Sequence, residues 1–261
     1  MGFALLIIDP QNDFASKEGS LYVPGAEEDC VRLASFIRKN INDISSIYIT
    51  LDNHPTFHIA HPCFWADRNG KSPEPYTTIK YSSFMNKDYQ PVKPEYIPVV
   101  EEYLMALENK NRYNLTIWPP HCINGTWGSC VVPELWQAVN DWELSSNKNA
   151  DFIRKSVNPL TEHYSAIQAE VPDPSDSSTR TNFNFIDSMK NEDRIVIAGE
   201  ALSHCVANTL RDVAVYIPAY KMTVLLDCTS NVKGFESVGN DFINEYRAKG
   251  MIFSTSDTFT V

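Results

Sequence analysis

The sequence predicts an α/β fold, one domain built on a central parallel sheet with helices on both faces. Three observations carry this reading. Short runs rich in β-branched and aliphatic residues alternate with amphipathic helical patterns along most of the chain, which is the order that generates parallel strands. One run, Arg194–Ala198, is apolar from Ile195 onward and followed by a glycine, as expected of a strand buried on both faces. The 261 residues are 43% hydrophobic and 21% charged, a globular composition of a length that one α/β domain can fill.

In order, Phe3–Ile8 reads as a strand, Glu27–Asn40 as an amphipathic helix and Ser46–Leu51 as a strand ending at Asp52. Cys130–Trp142 is helical, Phe152–Arg154 a short strand and Asn182–Met189 helical. After the Arg194–Ala198 strand come a helix over Ser203–Val215, a strand at Met222–Leu226, a helix over Phe235–Ala248 and a last strand at Met251–Ser254. The stretch from Cys63 to Thr116 breaks the rhythm. It is rich in proline and polar residues, with a helical pattern only at Val99–Leu107, and is taken as an insertion at about 63–116 within a single domain 1–261. No internal repeat or low-complexity tract is present.

The 22 Lys and Arg against 33 Asp and Glu give a net charge of −11, which argues against nucleic acid or an anionic membrane as partner. Phe3–Ile8 is too short to span a bilayer and lacks a basic flank, and Leu6 stands where myristoylation wants Ser or Thr. The expected location is therefore cytoplasmic. There Cys30, Cys63, Cys122, Cys130, Cys205 and Cys228 would be thiols, and the Asn114 and Asn124 glycosylation patterns would go unused.

In an open parallel sheet, ligands bind beyond the carboxyl ends of the strands. Four strand ends here deliver Asp9, Asp52, Lys155 and the Gly199–Cys205 turn to that edge, which makes a shared site of residues that singly would be loop polars. Cys205 sits at the start of a helix, where free N–H groups and the dipole favour a thiolate and could receive an oxyanion. Lys155 would add to this and Asp9, as a carboxylate beside the thiolate, would oppose it; the expected net thiol pKa is below the free value. His204 points about 100° away on a helix and reads as packing or support. The histidines cluster: His54, His58 and His61 follow Asp52, and His121 follows Trp118-Pro119-Pro120. Such a set offers nitrogen and oxygen ligands to Zn, Fe or Mn. Spacing alone leaves open surface histidines, a structural zinc using Cys63 or Cys122, and His61 in place of His58.

Four ordered motifs resemble the nicotinamidases, members of the isochorismatase-like cysteine hydrolases. They are Leu6-Ile7-Ile8-Asp9-Pro10-Gln11-Asn12-Asp13-Phe14, Asp52-Asn53-His54-Pro55, Trp118-Pro119-Pro120-His121-Cys122 and Gly199-Glu200-Ala201-Leu202-Ser203-His204-Cys205-Val206. The resemblance implies the three-layer α/β/α isochorismatase-like fold and hydrolysis of nicotinamide to nicotinate and ammonia through a thioester, within NAD salvage. It implies a catalytic triad of Asp9, Lys155 and Cys205 and an oxyanion hole from the amides of Ala201 and Cys205, beside a cis Glu200–Ala201 peptide. It further implies aromatic walls at Phe14, Trp118 and Tyr164, and one divalent metal ion, zinc first, held by Asp52, His54, His58 and His121 against the pyridine nitrogen. The chain departs from the family at Ser203, where Asp is usual, at Ser156, where Gly is usual, and in a longer segment from Lys155 to Tyr164. The rival expectations are an amidase for another heteroaromatic or small amide, and a non-catalytic binding protein on this scaffold. A homo-oligomer is compatible with either.

Overall fold

A computed structural model of the chain describes residues 2–110 and 113–261. Six strands form the main sheet: β1 (Phe3–Ile8), β2 (Ile44–Asp52), β3 (Asp151–Lys155), β4 (Ile195–Gly199), β5 (Met222–Leu225) and β6 (Ile252–Ser254). Their order is β3-β2-β1-β4-β5-β6 and every pairing is parallel. Chain progress reverses direction between β1 and β4, so the crevice for a ligand opens beyond the carboxyl ends of those two strands.

The period of two in β1 divides its side chains between two cores. Phe3, Leu5 and Ile7 pack with α1 (Ala26–Lys39), α2 (Ile97–Lys110) and α3 (Pro133–Ser146) on one face. Ala4, Leu6 and Ile8 pack with α4 (Phe183–Lys190), α5 (Ala207–Val213) and α6 (Glu236–Ala248) on the other. Burial on both faces is why β1 and β4 read as unbroken apolar runs. Helix α1 carries Glu27, Glu28 and Asp29 in its first turn and Arg38 and Lys39 in its last, each matched to the helix dipole.

The 63–116 segment adds no strand to the main sheet. It holds α2, a short helix at Tyr81–Met85, and two antiparallel pairs, Trp65–Ala66 with Gln90–Pro91 and Thr78–Ile79 with Leu115–Thr116. The expected helix at Ser203–Val215 begins instead with a π-helical turn over Leu202–Val206 that runs into α5. Among the described residues no helix is long and apolar enough to cross a membrane.

Candidate active site

The strand ends converge as their sequence positions imply. Asp9 leaves β1 with φ of 43°, held by its N–H to Thr50 O at 3.1 Å and to Thr50 Oγ1 at 3.0 Å; the Thr50 hydroxyl donates in turn to Asp9 Oδ1 at 2.5 Å. Asp52 at the end of β2 is clamped by Gln11, whose Nε2 donates to Asp52 O at 2.7 Å while its Oε1 accepts the Asp52 N–H at 2.8 Å. Gly199, at φ 109°, admits no other residue, since a Cβ there would lie 2.1 Å from Ile8 O. The Glu200–Ala201 peptide that follows is cis.

Lys155, from the end of β3, is fully buried and joins the set. Its Nζ lies 3.0 Å from Asp9 Oδ2, 3.2 Å from Asp52 Oδ1 and 3.5 Å from Cys205 Sγ, and donates to His163 O at 3.0 Å. Burial would strip its proton, but the two carboxylates hold its pKa well above the ordinary lysine value. Burial raises Asp9 above the usual carboxylate range despite Lys155. Burial also pushes Asp52 upward, but His54, Lys155 and His121 outweigh it and hold the group well below that range. The Cys205 thiol is driven well above its ordinary value by burial and by Asp9 and Asp52, with Lys155 opposing. The expected depressed thiol is thus corrected: desolvation and two carboxylates outweigh the ammonium, and the resting nucleophile keeps its proton.

A small cavity opens beside Cys205, lined by Phe14, Leu21, Asp52, Trp118, His121, Glu162, Tyr164, Ala201, His204 and Val232. All three expected aromatic walls are present. Trp118 Nε1 donates to Tyr164 OH at 3.0 Å, and Phe14 sets its ring 5.4 Å from that of His121. The Ala201 N–H has no acceptor among the described residues. His204 supports the wall, meeting Trp118 and Tyr164 edge-on, and burial lowers its pKa to about 4, so the ring is neutral. Ser203 earns its place differently from an acid: its hydroxyl accepts the Val232 N–H at 3.1 Å and shares a 2.9 Å bond with His204 Nδ1. Ser156 has φ of 62°, which explains a usual glycine at that position; its N–H reaches His163 Nδ1 at 3.3 Å.

The histidine set differs from the sequence expectation at one residue. His61 Nδ1 donates to Thr56 O at 3.1 Å and its Nε2 is buried without a partner. His121 Nδ1 donates to Pro119 O at 2.8 Å, leaving Nε2 3.3 Å from Asp52 Oδ2. His54 has no hydrogen bond at either nitrogen and lies 3.6 Å from both Asp52 Oδ1 and Glu162 Oε1. One nitrogen from each of His54, His61 and His121 falls within 4.8 Å of the others. Burial lowers His54 and His61 to about 3, so both offer neutral imidazoles. His58 also neighbours His54 and Glu162, but its Nδ1 accepts the Ala60 N–H at 3.2 Å and its Nε2 donates to Thr161 O at 3.2 Å. Both His58 nitrogens are thus engaged, whereas His61 Nε2 makes no hydrogen bond.

These residues fit a divalent cation. His54 and His61 offer unpartnered nitrogens, His121 Nε2 lies beside the Asp52 carboxylate, and ring N–H bonds to backbone carbonyls aim His61 and His121, as in protein metal sites. The carboxylates of Asp9, Asp52 and Glu162 also outnumber the Lys155 ammonium in a buried space, an excess that such an ion offsets. Glu162, with Oε2 buried and unpartnered, has no role in the sequence reading, nor do Gln11 and Thr50. Asp13 belongs with them: its carboxylate takes the Cys122 N–H at 2.6 Å and so fixes the turn that carries His121.

The fold is the isochorismatase-like α/β arrangement of the solved nicotinamidases. In sequence, too, the chain is similar to nicotinamidases. It is 29% identical over 244 residues to the nicotinamidase of Saccharomyces cerevisiae, spanning 94% of this chain and 95% of that one. The solved yeast nicotinamidase superimposes with a TM-score of 0.66 at 26% identity, covering 96% of this chain and 98% of that chain. Its complex with the inhibitor nicotinaldehyde gives 0.67, also at 26% identity, over 97% and 99% of the two chains. A nicotinamidase/pyrazinamidase from Acinetobacter baumanii shares the fold at 20% identity and a TM-score of 0.65, over 97% and 96%. No family model matches the chain.

Proposed function

We propose that the protein hydrolyses nicotinamide to nicotinate and ammonia. The observation that carries the reading is Lys155, whose ammonium reaches Asp9, Asp52 and the Cys205 sulfur inside an aromatic-walled cavity. Homology to nicotinamidases supports the choice of substrate.

The raised thiol and carboxyl pKa values set the order of events. Cys205 attacks the carboxamide carbon through Sγ while Asp9, beside it on Lys155, takes the thiol proton. The carbonyl oxygen becomes an oxyanion received by the N–H groups of Ala201 and Cys205. As the C–N bond breaks, Asp9 returns the proton to the leaving nitrogen, giving ammonia and a thioester. Asp9 next deprotonates water, which attacks the thioester carbon; the C–S bond breaks, the thiol recovers its proton and nicotinate leaves. Lys155 stays charged throughout and holds Asp9 in place, while Phe14, Trp118 and Tyr164 hold the ring. Asp52, His54, His61 and His121 would hold the divalent ion, zinc first, and when bound it supplies a Lewis-acid contact for the ring nitrogen.

This reading keeps the protein in the cytoplasm, in line with its six free thiols, and treats residues 1–261 as one domain with 63–116 inserted. Ammonia release from a panel of amides is the test. Nicotinamide should be the preferred substrate, and benzamide, which lacks the ring nitrogen, should be poor. A protein that releases ammonia faster from an aliphatic amide, or from none, would overturn it.

A further inference from the structure

None of the described residues in 63–116 lines the cavity, so the segment does not work as a wall or cover. Its helix α2 instead grips the loop that forms one side of the site. The Tyr103 hydroxyl, buried on α2, accepts the Glu162 N–H at 3.2 Å. Seven residues on, Lys110 Nζ donates to Glu170 O. Seven residues are two helical turns, so both grips come from one face. Their targets are themselves paired: Glu170 N–H donates to Glu162 O at 2.8 Å, and Thr161 Oγ1 to Val171 O at 2.7 Å. From the opposite side His58 donates to Thr161 O.

We propose that α2 is a splint for the 161–171 loop, with Tyr103 and Lys110 as positioning residues that set Glu162 and Tyr164 against the substrate ring. The inference rests on the nicotinamidase reading. Glu162 and Tyr164 form the ring side of the cavity, whereas the nucleophile turn is anchored elsewhere, by Leu202 N–H to Ser230 O at 2.8 Å and Gly199 N–H to Cys228 O at 2.9 Å. Among the described residues, the loop's one hydrogen bond to the triad is that from Lys155 Nζ to His163 O, and Asp9 and Asp52 also hold Lys155. Loosening the splint therefore weakens substrate binding more than turnover.

The test compares wild type with Tyr103→Phe, which deletes the acceptor and keeps the ring, and with Lys110→Met. Tyr103→Phe should raise KM for nicotinamide about tenfold, the scale of a buried N–H left unpaired, with kcat within about threefold of wild type. Lys110→Met should act in the same direction and more weakly, and it carries the test if Tyr103→Phe does not fold. Unchanged KM in the folded variant overturns the splint, even where the melting temperature falls, because a helix that only stabilises the fold would behave that way. Should the wild type not hydrolyse nicotinamide, the functional reading fails separately. The splint is then judged by zinc transfer to a chelator, faster in Tyr103→Phe if Glu162 shifts beside His54 and unchanged if it does not.

Discussion

The two ends of the cavity are built from different material. The nucleophile end hangs on the main sheet: Asp9, Asp52, Lys155 and the Gly199–Cys205 turn each follow a parallel strand, and the strand registers fix their spacing. The ring end is loop. His54, His61, His121, Glu162 and Tyr164 come from three connecting segments held by side chain to backbone bonds from Gln11, Asp13, His58 and Tyr103. A charged triad tolerates little displacement, so it sits where backbone hydrogen bonds leave least freedom. The ring end includes the stretch from Lys155 to Tyr164, which carries Glu162 into the cavity. Chemistry is fixed by the sheet, and substrate choice is adjusted in the loops.

The comparison breaks most readily at the nucleophile end. If Asp9, Lys155 and Cys205 act as one unit, Cys205→Ala, Asp9→Asn and Lys155→Met should each lower kcat by about 10³ or more, and Asp9→Asn/Cys205→Ala should be little worse than either single change. Steady-state ammonia release measures this. Multiplicative losses in the double variant would mean that the two residues act independently, against a shared proton.

At the ring end the sharpest test sets His61 against His58. His61→Ala should weaken retention of a divalent ion by about 10- to 100-fold, read by elemental analysis after dialysis against a chelator. His58→Ala should keep most of the ion, because both of its nitrogens are already engaged with Ala60 N–H and Thr161 O. An emptied site in His58→Ala with a full one in His61→Ala would restore the ligand that the family resemblance implies.

The same contrast explains what was legible in the sequence. Strand–helix alternation located all six strands to within two residues, most plainly β1 and β4, where burial on both faces leaves unbroken apolar runs whatever the loops do. The strand-end rule then brought Asp9, Asp52, Lys155 and Cys205 together. In the loop from Asn53 to Pro62, by contrast, three histidines lie within eight residues, and nothing in their spacing says which ring turns inward. The Thr56 carbonyl aims His61, and the Ala60 N–H occupies His58. Glu162 carries no motif, and its place depends on α2, more than fifty residues earlier. The thiol was misjudged for a different reason: the helix start, Lys155 and the opposing Asp9 can be read from sequence, but complete burial, the largest influence, cannot.

That misjudgement yields the smallest and most discriminating measurement, which needs no substrate. Alkylation by iodoacetamide follows the thiolate fraction, and a thiol above the ordinary value near 9 is less than about 1% ionised at pH 7. Peptide mass spectrometry of the unliganded protein at pH 7 should therefore find Cys205 labelled more slowly than the exposed Cys63 and Cys130, gaining on them as the pH rises. The sign follows the neighbours. Lys155 lowers the thiol pKa, so Lys155→Met should slow labelling several-fold further. Asp9 raises it, so Asp9→Asn should speed labelling by a similar factor. Steric protection alone would slow Cys205 without opposite responses in the two variants. Preferential labelling of Cys205 at pH 7 in the wild type would show that Lys155 and the helix start outweigh burial, and the proton removed by Asp9 during attack would then already be absent.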